Sequence, residues 1–259
     1  MAYQPSPALL EAYANVLVNF ALGSGKGIAK GDSVLVQLPE CAKPLYVALR
    51  NTILKSGGNP VMQFAADNVQ PADVYSFSTA EQLTYFPEHY YKGITEQFDH
   101  RIAIIAEADK YELQGVDAKL ILARANAILP YREWLNEKEA KGLYTWTIAM
   151  YGTPAMAADV GMSEEEYWQQ ISAACYLQEE DPIAHWCQTS AELEHIKSAL
   201  NALEIDKVHV EAEGINLTVG LGANRTWLGG SGRNIPSFEL FISPDWRQTE
   251  GVIRFNQPL

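Results

Sequence analysis

Apolar positions along the first two hundred residues switch repeatedly between a helical period and short continuous runs. Leu9, Leu10, Tyr13, Val16, Leu17 and Phe20 fall on one helical stripe behind Ser6-Pro7, a capping residue and a first-turn proline. Gly23 to Gly27 ends that stripe, and Lys30-Gly31-Asp32 turns into SVLVQL (33–38). Residues 43–56 read as a helix closed by Gly57-Gly58, and PVMQF (60–64) as the next strand. This strand–helix–strand unit has the length of a parallel crossover. Residues 79–97 predict one Tyr- and Phe-rich helix. RIAIIAE (101–107) predicts a strand buried on both faces, 117–126 and 131–141 predict helices, and TWTIAM (145–150) a further strand. A helix opens at Ser163-Glu164-Glu165-Glu166 and runs to Cys175, with acidic residues at the positive end of its dipole. Another runs from Asp181-Pro182 to Leu203. The alternation predicts an α/β fold: a Rossmann-like layered N-terminal domain with a parallel sheet.

After Leu203 the texture changes. KVHVEAEG (207–214), INLTVGLG (215–222) and GVIRFNQPL (251–259) are β-rich and separated by glycine turns. The expectation is an α/β domain over 1–205 and the beginning of a strand-rich second domain over 206–259.

Composition narrows the function. The net charge of −13 repels phosphate backbones and anionic membranes, so nucleic-acid and membrane partners are not expected. Cys41, Cys175 and Cys187 are too few and too scattered for a disulfide scaffold. The N-terminus lacks a basic segment and a cleavage pattern, and no apolar run reaches membrane-spanning length, so the expected compartment is the cytoplasm.

Most candidate chemistry reads as structural. The cluster Gly23-Ser24-Gly25-Lys26-Gly27 lies between a helix and a strand, the reverse of a phosphate loop, and reads as a helix exit. His89, His100, His185, His195 and His209 form no HExxH or HxH. Ser231 lacks a nucleophile elbow, and His185 and Cys187 do not face each other on a helix. The acidic groups Glu164 to Glu166 and Glu179-Glu180 read as helix-end and solvated charges. Glu239 differs. It stands between Phe238 and Leu240-Phe241, where a carboxylate needs a partner: a buried ion pair is the commoner explanation, a divalent metal the other.

The segment around Glu239 resembles the thermophilic metalloprotease family of leucyl aminopeptidase T-like enzymes. The specific part is Asn234-Ile235-Pro236-Ser237-Phe238-Glu239-Leu240-Phe241-Ile242-Ser243-Pro244, preceded by Asn216-Leu217-Thr218 and Trp227. Ile215-Asn216 and Ile242 depart from the family's usual Thr-Asp and Thr. The resemblance implies a two-domain homodimeric enzyme that removes N-terminal residues from peptides. Its second domain would carry two divalent metals, zinc or cobalt, with Glu239 as a ligand. The family's other ligands, a further Glu with His and Asp residues, match nothing in these 259 residues, and catalytic metal sites need about three protein ligands. The expectation is therefore the N-terminal portion of a metal-dependent aminopeptidase, by itself inactive. Two alternatives stand beside it: a non-catalytic short relative acting as a binding or dimerisation module, and an α/β enzyme of another class working through 1–203. A strand-rich part ending at 259 is also expected to self-associate, or to be disordered after Gly222.

Overall fold

The computed structural model describes residues 3–67, 70–230 and 232–256. They form two compact units, residues 1–186 with 232–236, and residues 187–231 with 237–259. The expected division at 205/206 falls just before the first strand of the second unit; the units themselves part inside a helix.

In the first unit α1 (Pro7–Val16) is capped by Ser6, whose hydroxyl accepts the Leu9 amide, and Pro7 opens the first turn. The helix widens over 17–21 and tightens over 22–24 before the chain leaves through Gly25 and Gly27, both with positive φ. A side chain at Gly27 would sit 2.6 Å from the Asn19 carbonyl oxygen, so the glycine-rich stretch is a tightly packed helix exit. The strands β1 (Ser33–Pro39), β2 (Asn59–Ala65), β3 (His100–Ile105) and β4 (Thr145–Met150) form a parallel sheet in the order β2-β1-β3-β4. A two-residue strand β8 (Asn234–Ile235) adds to the outer edge of β4, also in parallel. The expected Rossmann-like α/β layering is the observed one.

The two faces of the sheet differ. Val34, Val36 and Leu38 of β1 are buried in one cluster with Leu10 and Tyr13 of α1 and with Leu45, Leu49 and Ile53 of α2 (Lys43–Lys55). Tyr13 is wholly buried, and its hydroxyl pairs with the backbone of Met150, donating to the carbonyl at 3.0 Å. The other face carries a polar row: Arg101 donates to Gln37, Gln37 to Gln63, and Gln63 to the Tyr90 hydroxyl of α5 (Glu88–Gln97). Right-handed crossovers that leave β1 and β2 in opposite directions put α2 and α5 on opposite faces.

The helices between β2 and β3 depart from expectation. The helix predicted over 79–97 is two, α4 (Ala80–Leu83) and α5, because Pro87 supplies no amide and disfavours a helical residue before it. A short α3 (Ala72–Phe77) precedes them. The expected helices at 117–126 and 131–141 are α6 (Ala118–Ala127) and α7 (Leu129–Ala140). After β4 come α8 (Pro154–Asp159) and α9 (Glu164–Ala174), the latter opened by a reciprocal capping box between Ser163 and Glu166.

The second unit takes over within α10 (Pro182–Ala202). Its antiparallel sheet has the order β10-β6-β5, from β5 (Lys207–Ala212), β6 (Ile215–Gly220) and β10 (Asp245–Ile253). The last strand begins at Asp245, earlier than the expected 251, and residues 257–259 of the expected run lie outside the described residues. Further strands lie past Gly222. No described helix is long and apolar enough to cross a membrane.

Candidate metal-ligand segment

Glu239 sits where the chain returns to the second unit after β8. It directly precedes β9 (Leu240–Phe241), which pairs antiparallel with β7 (Leu228–Gly229), Leu228 opposite Phe241 and Gly229 opposite Leu240. This two-stranded ribbon positions the carboxylate. Gly229 has φ 140°, and a Cβ there would lie 2.2 Å from the Glu239 carbonyl oxygen. Only a glycine lets the two backbones come this close. Before β7, the Asn201 side chain accepts the Trp227 amide at 2.8 Å. After β9, the Arg225 guanidinium donates to the carbonyls of Ser243 and Pro244 at 2.5 and 2.7 Å, closing the loop on Glu239's far side.

The Glu239 side chain is exposed. The buried ion pair that the apolar neighbours suggested is therefore not what holds it: Phe238 and Phe241 are themselves about half exposed. The buried carboxylate of this unit is Asp245. It accepts Arg247 through Nε (2.9 Å), Nη2 (3.0 Å) and the backbone amide (3.2 Å), and Gln248 at 3.3 Å. The Arg247 hydrogen bond holds the Asp245 carboxyl at about 2, below the usual carboxylate range. Sequence reading passed over this pair, although Asp and Arg two apart in a strand share a face.

As a metal donor Glu239 has the right chemistry, a free carboxylate on a braced ribbon. It is one donor. Among the described residues no group of three or more His, Cys, Asp or Glu could hold a metal ion. The Asn234–Pro244 block does not lie in one unit: Asn234 and Ile235 pair with Ile148 and Ala149 in the first sheet, and the second unit resumes at Ser237.

The histidines stay apart. His89, His185, His195 and His209 are exposed, and His209 pairs with Thr218 across β5 and β6. His100 is buried between Asp32 and Thr145 at the amino ends of the parallel strands. Ser231 lies outside the described residues.

The chain matches the family model described as thermophilic metalloprotease (M29) over residues 7–259. It is 28% identical to aminopeptidase T of Thermus thermophilus, over 94% of this chain and 64% of that protein. It is 25% identical to aminopeptidase AmpS of Bacillus subtilis, over 95% and 64%. The chain thus spans somewhat under two thirds of the length of these relatives. A solved structure titled wild-type AmpT from Thermus thermophilus superposes with a TM-score of 0.80 at 23% identity, over 97% of this chain and 65% of that one, a likeness of fold. With a match across nearly its whole length, the chain belongs to the thermophilic metalloprotease (M29) family.

Proposed function

We propose that this chain supplies the N-terminal α/β part, and from about residue 206 the first portion of the metal-bearing part, of an aminopeptidase that releases N-terminal residues from peptides by two-metal hydrolysis. The family match over residues 7–259 carries this reading, together with relatives that are named aminopeptidases. Glu239 is the proposed metal ligand. Its exposed carboxylate, fixed by the β7–β9 ribbon, is free to enter a coordination shell that donors beyond the described residues complete. Zinc or cobalt is the proposed metal, a homodimer the proposed assembly and the cytoplasm the proposed compartment.

The test is hydrolysis of leucyl p-nitroanilide, with zinc or cobalt, by protein that also carries the remaining metal donors; the 259 residues alone should show no turnover. Activity should vanish on chelation and return on adding metal. Glu239→Gln should lower kcat/KM by at least about a hundredfold and weaken metal binding in equilibrium dialysis, since removing a ligand cuts affinity at least as deeply as removing its supporting contacts. Unchanged metal affinity in that variant would remove Glu239 from the ligand set. The competing reading, a non-catalytic binding or dimerisation module, predicts no turnover with either metal even in that protein.

A further inference from the structure

Strands of a parallel sheet are ordinarily buried on both faces, and the first sheet meets that condition on one face only. Val34, Val36 and Ile102 are fully buried on the α1 and α2 side. On the other face Ile105 is 43% exposed, although β3 lies between two strands, and Val61 is 47% exposed. The helices on that side cover it thinly: α3, α5 and α6 have no buried residue. Ala103 stands in the middle of this face, level with Gln37 of β1 and Ile148 of β4, and is itself partly exposed. Arg101 and Ile105 share its face, two residues away in either direction. Between those two long side chains the Ala103 methyl group leaves a hollow.

One end of the hollow is cationic. The Arg101 guanidinium donates through Nε to the Gln37 side chain. Acidic side chains outnumber basic ones 32 to 19, yet among the described residues no carboxylate pairs with Arg101. Glu139, the acid beside Tyr144, is taken by Arg233 at 2.6 Å. A half-buried charge without a counter-charge is costly, and an arriving anion relieves that cost. Two phenols stand beside the guanidinium. Burial pushes the Tyr131 and Tyr144 hydroxyls up in pKa, against the pull of the Arg101 charge, so both keep their protons as donors. A guanidinium with free N–H groups is a fork for a carboxylate. The apolar strip from Ala103 to Ile105 suits a flat body attached to that head. We propose that this sheet face binds a small organic carboxylate, with its head on Arg101 and its apolar body over Ala103 and Ile105. The proposal goes beyond the aminopeptidase reading and uses no residue of the second unit.

Calorimetry with phenylacetate tests it. Phenylacetate should bind, and phenylacetamide, the same body without the charge, should bind at least about tenfold more weakly, the loss of roughly one charge-assisted contact. Acetate, the head without the body, should also bind more weakly than phenylacetate. Arg101→Gln should cost about tenfold and leave the melting temperature unchanged or raised, since it removes a half-buried unpaired charge. Ala103→Leu fills the hollow, so it should weaken phenylacetate binding and leave acetate binding as it was. If Arg101→Gln proves too unstable to measure, Ala103→Leu decides alone. The proposal is overturned if the parent gives no binding heat, if phenylacetamide or acetate binds as tightly as phenylacetate, or if either variant binds phenylacetate like the parent.

Discussion

His100 bridges two partners: Nδ1 lies 2.7 Å from Thr145 Oγ1, which also accepts the Gly23 amide at 3.0 Å, and Nε2 lies 2.9 Å from Asp32 Oδ2. The order of groups is that of a nucleophile, a base and its orienting acid. Position decides against that role. The network ties together the amino ends of β1, β3 and β4, opposite the end where α/β sheets hold ligands. We predict that His100→Ala lowers stability by about 2–3 kcal/mol in urea unfolding, because Thr145 and Asp32 lose their shared partner. In protein that also carries the remaining metal donors, peptidase activity per folded molecule should stay unchanged; lost activity at parental stability would refute the structural assignment. A second residue gives a pH prediction. The Asp245 carboxyl is held at about 2 by its Arg247 hydrogen bonds, whereas an unfolded aspartate titrates near about 3.9. Its contribution is present above about pH 4 and is lost as pH falls from there to about 2. Asp245→Asn should remove this acid-limb dependence from the fluorescence of neighbouring Trp246. Neither the His100 network nor the Asp245 pair was legible as such in the sequence. The first joins residues 32, 100 and 145, which only the folded sheet brings together.

At the scale of elements, legibility followed length. β1, β3 and β4 are apolar runs of six or seven residues, and α9 and α10 open on capping residues, so pattern alone located them. β7, β8 and β9 have two residues each, too few to show a period. β8 is also parallel to a strand more than eighty residues earlier, a pairing that no local signal encodes. The element that positions Glu239 was thus invisible although Glu239 itself was not. The ribbon makes a prediction of its own. Gly229→Ala places a methyl group against the Glu239 carbonyl, where 2.2 Å is available, so the pair must separate. We expect a loss of about 1–3 kcal/mol by chemical denaturation, the usual cost of overpacking, with weakened metal affinity alongside. Gly161→Ala is the control. It too has positive φ, but nothing stands near its Cβ, so it should cost stability without touching metal affinity.

For the molecule as a whole, the second unit's three-stranded sheet has two unlike faces. Register places Val208, Val210 and Ala212 of β5 opposite Val219, Leu217 and Ile215 of β6, with Ile253 of β10 opposite Ile215. All of these project to one side, and Lys207, His209, Glu211, Asn216, Thr218 and Glu250 to the other. None of the apolar set is buried, and Val210 and Ile253 are 39% and 45% exposed. A sheet with one apolar face is ordinarily covered on that face. Covering it stabilises by roughly 1–2 kcal/mol for each large aliphatic side chain, so an uncovered face favours association. The net charge of −13 opposes it by mutual repulsion, which salt screens. The purified chain should therefore self-associate reversibly in sedimentation velocity, more strongly as ionic strength rises. Val210→Thr with Ile253→Thr should shift the distribution towards monomer without changing secondary structure. If charge pairing held the copies together, salt would weaken the association and the threonine pair would leave it intact. A parent protein that stays monomeric at every concentration and salt level would show that the apolar face is too small, or too well shielded, to bind a second copy.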